Sequence, residues 1–272
     1  MPQQNLKAKW NTVDQADDPG FFLRFMESVR GGSDDDPEHY RPVFDLLDVQ
    51  EKERFLDVGG GAGGAVRALA RRVGKTGQVF GIDKSVTMIE EARKRAAGVN
   101  LPVEFYEGDA HQLPFADNYF DGSYSLRVFE IIGEPRQAVA EMVRVIRPGG
   151  RVVINAPDID LWAIDASDRE TTRLIIHYIC DHEANGWVGR QMPAVFQEAG
   201  LLNLKVVPVT GIITDFNLLY DFWLGELVER AQAAGAVPKE AAARWLDDLK
   251  ERHGAGRFFC SQTQFRVSGR KP

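Results

Sequence analysis

Three groups of residues in this sequence stand where they could do chemistry. The first is the run RFLDVGGGAGG at residues 54–64, where Gly59, Gly60, Gly61, Gly63 and Gly64 follow a short apolar segment containing Asp57. Glycines at this density let the main chain turn with positive φ and remove side chains that would keep a ligand off the backbone. The second is a pair of carboxylates that close apolar runs, Asp83 after QVFGI and Asp109 after VEFYEG. A carboxylate at the end of a strand can accept both hydrogen bonds of a ribose diol. The third is the segment carrying His177, Asp181 and His182. On a helix His177 and Asp181 share one face, so the acid could orient the imidazole as a base. His182 lies roughly 140° round the helix from His177, which excludes a metal pair on a regular helix. His111 and Asp158 are secondary candidates for a base.

The pattern of apolar residues supplies the scaffold for these groups. Arg54 to Val58 reads as a strand. Behind the glycines Val66, Leu69, Ala70 and Val73 fall at helical spacing, so the loop opens a helix whose first N–H groups face outward. Gln78 to Ile82 is a second strand, far enough from the first for one β-α-β unit. Ser85 is placed to cap the next helix, with Met88, Ile89, Ala92 and Ala96 on its inner face. Val103 to Tyr106 and Phe120 to Leu126 are strands three and four. A helix over 138–146 and a Pro148-Gly149-Gly150 turn lead to strand five, RVVINA at 151–156. Apolar strands alternating with helices predict a parallel sheet covered on both faces. FFCSQTQFRV at 258–267 is a further β-like run. Ahead of strand one, Asp18-Pro19 reads as a helix start, and Phe21, Phe22, Phe25, Met26 and Val29 form a stripe suited to core or to a flap over a site. Pro37 begins another helix that runs through Leu47.

Composition narrows the class. The chain has 272 residues, 44% of them apolar and 27% charged, as expected of one large soluble domain or a domain with an insertion. A net charge of −7 argues against a nucleic-acid surface, which needs clustered Lys and Arg. Cys180 and Cys260 match no metal or redox spacing and read as reduced and structural. The three aspartates at 34–36 lack partner ligands nearby and read as a solvated turn, so no metal is expected. MPQQNLKAKW has no apolar leader core, and no apolar run is long enough to span a membrane. A cytoplasmic monomer or homodimer is the expectation.

The glycines themselves support two readings. Gly59, Gly61 and Gly64 satisfy G-x-G-x-x-G, a dinucleotide fingerprint that would imply a nicotinamide cofactor. Asp57, Gly59, Gly61 and Gly63 spell D-x-G-x-G-x-G, which resembles motif I of the class I methyltransferases that use S-adenosylmethionine (SAM). An acid at the strand end is awkward beside a pyrophosphate but favourable near the cationic amino group of a methionine moiety. Downstream, GIDKS, EGDAHQLPF, NYFDGSYS and RVIRPGGRVVI follow in the order and spacing of the ubiquinone/menaquinone-biosynthesis-like branch, methyltransferase type 11. The resemblance covers residues 40–156. GDAHQLPF and the PGG turn separate it from a nicotinamide fold.

The resemblance implies an α/β fold: a Rossmann-like, doubly wound, seven-stranded, mostly parallel sheet with its last strand antiparallel. It implies a helical N-terminal cap over 1–50 and a SAM-dependent methyltransferase domain over 51–272, with lid-like insertions at 157–188 and 211–256. Asp57 and the backbone at Gly59, Gly61 and Gly63 would surround the methionine part of SAM. Asp83 would take the ribose hydroxyls, with Lys84 or Met88 beside the adenine. Asp109 would accept from the adenine amino group while the Ala110 N–H donates to the ring, and the Ser125–Leu126 backbone would lie near the sulfonium. Where relatives often carry an LHH-like segment, this chain has Val128-Phe129-Glu130-Ile131-Ile132. That removes one familiar candidate base and weakens any transfer of substrate identity; His177, Asp181 and His182 are catalytic candidates on their spacing alone, with His111 and Asp158 secondary. Eight aromatic residues in the insertions (Trp162, Tyr178, Trp187, Phe216, Tyr220, Phe222, Trp223, Trp245) suit an apolar acceptor or ordinary core equally. The implied activity is O-, N- or C-methylation of a small or medium hydrophobic acceptor, natural-product or quinone-like, with S-adenosylhomocysteine (SAH) as product. The alternative is a SAM-fold protein that does not methylate, either a cyclase-like enzyme or a cofactor-binding subunit.

Overall fold

A strand buried on both faces must be apolar at successive positions, and Arg54–Val58 (β1) is built that way: Phe55 faces one core, Leu56 and Val58 the other. The protein, described from a computed structural model, is defined here over residues 13–16, 18, 20–24 and 35–272. β1 pairs in parallel with Gln78–Asp83 (β2) and with Phe120–Leu126 (β4). Val103–Glu107 (β3) continues the sheet beyond β2, and Ile146–Pro157 (β5) beyond β4. Cys260–Arg270 (β8) lies antiparallel to β5, and Leu202–Ile213 (β7) antiparallel to β8. The order is β3-β2-β1-β4-β5-β8, with β7 beyond β8. The direction of winding reverses between β1 and β4, which opens a crevice at the C-terminal ends of those two strands.

Helices cover both faces. Pro37–Leu46 (α1), Gly64–Val73 (α2) and Val86–Ala96 (α3) pack on Phe55, Val79 and Val153. Pro135–Val145 (α4) and Val188–Glu198 (α6) pack on Leu56, Val152 and Ile154. A separate helical core joins Arg169–His182 (α5), Phe216–Leu219 (α7), Gly225–Ala233 (α8) and Lys239–Gly254 (α9). Among the described residues no helix is long and apolar enough to cross a membrane.

The sheet departs from the expected seven strands. An eighth, Ala163–Ile164 (β6), pairs with Ser261 and Cys260 of β8, on the edge where β5 ends its own pairing at Gln264. A 3-10 turn at Ile159–Leu161 interrupts what is otherwise one line, so β6 continues β5. The antiparallel last strand agrees with expectation. β7 was not foreseen, and the expected start of the second insertion at 211 falls inside it. The physical reason is its edge position: most of its side chains are exposed, no buried-face alternation survives, and Pro208 is tolerated there. A π turn at Tyr220–Leu224 separates α7 from α8, so 216–233 is not one regular α-helix.

The N-terminal segment docks on α3. Val13 and Phe22 are buried against Met88. Pro19, Phe25, Met26 and Val29 of the expected helix lie outside the described residues. Asp14 accepts from the Ser85 hydroxyl at 2.7 Å, the Val86 N–H at 2.9 Å and the Thr87 N–H at 3.0 Å, so it caps α3 alongside Ser85. Asp14→Ala is expected to cost about 1 kcal/mol as a lost cap and to lower the unfolding midpoint by roughly 2–4 °C for a chain of this size. Thermal unfolding followed by circular dichroism checks it; an unchanged midpoint would mean the segment does not hold α3.

Candidate active site

The glycine loop is shaped by backbone conformations that other residues rarely adopt. Gly59, Gly61 and Gly63 have φ of +78°, +52° and +75°. The Gly59 and Gly60 N–H groups donate to the Ile82 carbonyl at 2.8 and 3.0 Å, which fastens the loop to β2. Gly63 then starts α2, whose first N–H groups no side chain caps, leaving them for a ligand. The loop is also a tight cradle. A Cβ at Gly59 would stand 2.2 Å from Val128 Cγ2, and one at Gly63 2.6 Å from Phe105 Cε1. Asp57 is buried beneath the loop, and a Cβ at Gly60 would lie 3.4 Å from its Oδ2. Burial, reinforced by the Asp57 charge, pushes the Tyr124 phenol well above its ordinary value. The Ser125 hydroxyl donates to the Val58 carbonyl at 2.7 Å, so the Ser125–Leu126 end of β4 sits beside the end of β1.

Asp83 ends β2 next to this loop. Its Oδ2 accepts from the Gly61 N–H at 2.9 Å and its Oδ1 from the Ser85 N–H at 3.0 Å. Each oxygen keeps a further lone pair for a ligand hydroxyl. Burial raises the Asp83 pKa, the backbone hydrogen bonds oppose this, and the Asp14 charge adds to it. Lys84 is exposed, with Nζ 3.9 Å from Asp109 Oδ2. Met88 is turned under Val13 and Phe22. Ala110 is half-buried beside the core of the α4 face.

Asp109 is engaged by His111. Its Oδ1 accepts from the His111 N–H at 2.9 Å and lies 2.5 Å from His111 Nδ1, while His111 Nε2 is 2.7 Å from the Gly133 carbonyl. Both ring nitrogens face acceptors, an arrangement that favours the doubly protonated imidazole over the free base. Burial pulls the His111 pKa down, but the Gly133 and Asp109 hydrogen bonds and the Asp109 charge together raise it. For Asp109 burial pulls upward and is outweighed by the His111 hydrogen bonds and the nearby cations, leaving it lowered. The pair therefore contributes most stability between about pH 4 and 6.5. The contribution is lost as pH falls through the lowered Asp109 value and as pH rises through the raised His111 value. In an NMR titration His111 is expected to show a midpoint above about 6.5 that falls in Asp109→Asn; an unshifted midpoint would contradict the pairing.

A family profile described as a methyltransferase domain matches residues 56–154, the stretch that holds the glycine loop, Asp83, Asp109 and Ser125. Residues 56–154 are a class I methyltransferase domain of the UbiE-like branch. The chain is 35% identical over 116 residues to the ubiquinone/menaquinone biosynthesis C-methyltransferase UbiE of Stutzerimonas stutzeri, covering 42% of this chain and 45% of that protein. It is 40% identical over 229 residues to a 37.1 kDa protein of transposon TN4556 in Streptomyces fradiae, covering 83% of this chain and 64% of that protein. The fold is shared with the Haemonchus contortus phosphoethanolamine N-methyltransferase 2 bound to phosphomonomethylethanolamine and SAH. That structure has a TM-score of 0.60 and 19% identity, with 100% of this chain and 62% of that chain covered. The chain thus spans less than two thirds of each of these relatives.

The methyltransferase domain closes against segments that the family profile does not cover. Arg127, just past β4, has φ of +63°, and its N–H donates to the Asn155 carbonyl at 3.0 Å. Its Nε donates to Glu130 Oε1 at 2.8 Å and its Nη1 to Gln262 Oε1 at 3.3 Å. The Asn185 amide, from beyond β5, donates to the Phe129 carbonyl at 3.0 Å and to that of Ile132. In the sequence 128–132 stands out only for its missing histidines, and no local motif marks Arg127, Gln262, Gln264 or Arg266. A signal was present: in β8 the polar Gln262, Gln264 and Arg266 alternate with Thr263, Phe265 and Val267, which places them on one face.

The three catalytic candidates lie elsewhere, on α5. His177 is exposed with Nε2 3.8 Å from Asp160 Oδ1, so its acidic neighbour is Asp160 and the expected His177–Asp181 pair is not formed. Asp181 is exposed. His182 stacks on Tyr178, ring centroids 4.0 Å apart, and its Nδ1 lies 2.9 Å from the Tyr178 carbonyl. No hydrogen bond or ion pair among the described residues ties the three to the glycine loop. Asp158 is fully buried and bound by both Nε and Nη2 of Arg190. The aromatic residues of the insertions divide. Phe216 and Trp245 are in the helical core, where Trp245 Nε1 donates to Thr172 Oγ1 at 2.8 Å, and Trp162 packs on Trp223 at 3.9 Å. Trp187 is exposed beside Arg190, and Tyr220 stacks on Phe216. The side chain of Phe222 lies outside the described residues. Packing thus accounts for Trp162, Phe216, Trp223 and Trp245, which removes much of the argument for an apolar acceptor. Cys180 and Cys260 are free and buried, and burial pushes their thiols up to about 11 and about 12.

Proposed function

We propose that this protein binds SAM and transfers its methyl group to a small-molecule acceptor, leaving SAH. The observation that carries the reading is the shared edge formed by the ends of β1, β2 and β4. There the Gly59–Gly63 backbone, the uncapped start of α2, the two free lone-pair positions of Asp83 and the Ser125–Leu126 backbone meet within one crevice. Asp57 and the backbone of Gly59, Gly61 and Gly63 would hold the methionine end, and Asp83 the ribose. Asp109 and the Ala110 N–H would take the adenine edge, with Lys84 nearby and Met88 beneath. The cofactor supplies the activated methyl group, so the chain's own task is to hold acceptor and cofactor in line and keep water out.

A dedicated base is not required by this reading. His111 has both ring nitrogens engaged by acceptors and Asp158 is ion-paired with Arg190, so neither is free for that role. His177, Asp181 and His182 remain candidates only through movement of the insertion. Isothermal calorimetry with SAH and with NADH tests the proposal. SAH is expected to bind and NADH not to bind; NADH binding without SAH binding would return the glycine loop to the dinucleotide reading.

A further inference from the structure

A connected polar strip runs along the ends of β4, β5 and β8, and nothing in the cofactor reading uses it. Asn155 Nδ2 donates to Gln264 Oε1 at 2.6 Å, Gln264 Nε2 donates to Gln262 Oε1 at 3.4 Å, and Gln262 Oε1 also accepts from Arg127. Arg127 in turn donates through Nε to Glu130. The Arg127 side chain is 47% exposed and the Glu130 side chain only 5%, so the carboxylate lies inside and fixes the guanidinium from within. A guanidinium has five N–H donors. Two of Arg127's are used, and three on the Nη1–Nη2 edge have no partner among the described residues.

The strip also holds a second cation. Arg266 stands opposite Asn155 in the β5–β8 pairing, on the face that carries Gln262 and Gln264. Its Nε is buried without a hydrogen-bond partner, no acidic side chain pairs with it among the described residues, and burial alone lowers its pKa. Asn155 Oδ1 and Glu130 Oε2 are also buried and unpaired, but both are acceptors and would need a donor rather than an anion. The Arg266 N–H is the unpaired donor, and a charge held in protein without a counter-charge is unfavourable. The strip holds two guanidinium groups and one carboxylate, and only Arg127 is paired with it, in a chain whose net charge is −7. The strip is therefore locally poised for an anion. Its place is also set: Val128, next to Arg127, is the side chain that lies against Gly59.

We infer that this strip recognises the methyl acceptor and that the acceptor carries a carboxylate, bound on the open edge of Arg127 beside Arg266. The identification of the ligand as an acceptor rests on the methyl-transfer reading; the anion preference rests on the strip alone. Arginine suits the task because its planar fork matches a carboxylate with two parallel hydrogen bonds. Glu130 is a positioning residue: it orients Arg127 and touches no ligand. Arg127 and Arg266 are far apart in sequence and belong to one strip only because β8 pairs beside β5.

The test is calorimetric titration of benzoate, with methyl benzoate as its uncharged counterpart, into the protein with and without SAH. Benzoate is expected to bind and the ester to bind at least about tenfold more weakly. Arg127→Gln and Arg266→Gln should each weaken benzoate by about 10- to 100-fold and leave the ester unchanged. Glu130→Gln keeps an acceptor for Arg127 Nε and removes a competing charge, so benzoate should bind it as well or better. Absence of benzoate binding to the wild type, equal binding of acid and ester, or undiminished benzoate binding to Arg127→Gln would each overturn the inference. If Arg127→Gln does not fold, Arg127→Lys decides, since it keeps the charge and loses the fork and must weaken benzoate. SAH titrated separately into the same proteins reports on the cofactor reading. Its failure with benzoate selectivity intact would sink that reading and leave the anion site standing.

Discussion

Replacing Asp83 with alanine is expected to weaken SAH binding about 100-fold or more, since each hydrogen bond to a charged group contributes about 1.5–3 kcal/mol and a ribose diol makes two. The variant also loses the acceptor for the Gly61 N–H, so part of the effect is a looser glycine loop. Asp83→Asn separates the two contributions. It keeps one oxygen and one of the backbone contacts, and its affinity should fall between wild type and Asp83→Ala. The same carboxylate predicts a pH dependence. Burial, aided by the Asp14 charge, raises its pKa, and only the ionised form accepts both hydroxyls. SAH affinity should therefore fall as pH drops through that raised value, at a higher pH than for an ordinary aspartate. Calorimetry across the acidic range checks this. An Asp83→Ala protein that binds SAH like the wild type would place the ribose elsewhere.

Gly59→Ala is expected to abolish measurable SAH binding and to lower the unfolding midpoint by roughly 5–15 °C, corresponding to about 2–4 kcal/mol. Two effects add. An L-residue at φ of +78° costs about 1–2 kcal/mol, and the new Cβ would stand 2.2 Å from Val128 Cγ2. Val128 cannot simply move aside, because Asn155 and Asn185 hold the loop on either side of it. Adding Val128→Ala to Gly59→Ala should recover part of the stability, and a double-mutant cycle reads the coupling directly. Fully additive losses for Gly59→Ala and Val128→Ala would show that Val128 does not press on the loop.

How much of this was legible beforehand depended on the range of each interaction. The glycine loop could be read because a strand, a turn and a helix start are consecutive in the chain. Ser85 as the cap of α3 was readable for the same reason, and its hydroxyl accepts the Met88 N–H at 3.2 Å. Asp83 and Asp109 could be found because strand ends show as the last polar residue after an apolar run. β7 could not be found, since an exposed edge strand carries no buried face to impose a period. The aromatic residues of the insertions misled in another way. Residue type alone cannot distinguish Trp245 packed against α5 from a tryptophan lining a ligand cavity.

His111 and Arg127 mark the boundary most clearly. A histidine two residues after Asp109 suggests a base in sequence, and only the tertiary structure shows the Gly133 carbonyl engaging its other nitrogen. The sequence by itself determined the parallel α/β sheet, the glycine loop and the two carboxylates beside it, because those features lie on successive β-α units and are written in local spacing. The tertiary structure alone decided the other half of the site. Arg127 and Gln262 are 135 residues apart, as Asn155 and Gln264 are 109 apart. They form one strip because β8 returns to pair antiparallel with β5, and long-range pairing of this kind leaves no trace in the periodicity of either strand.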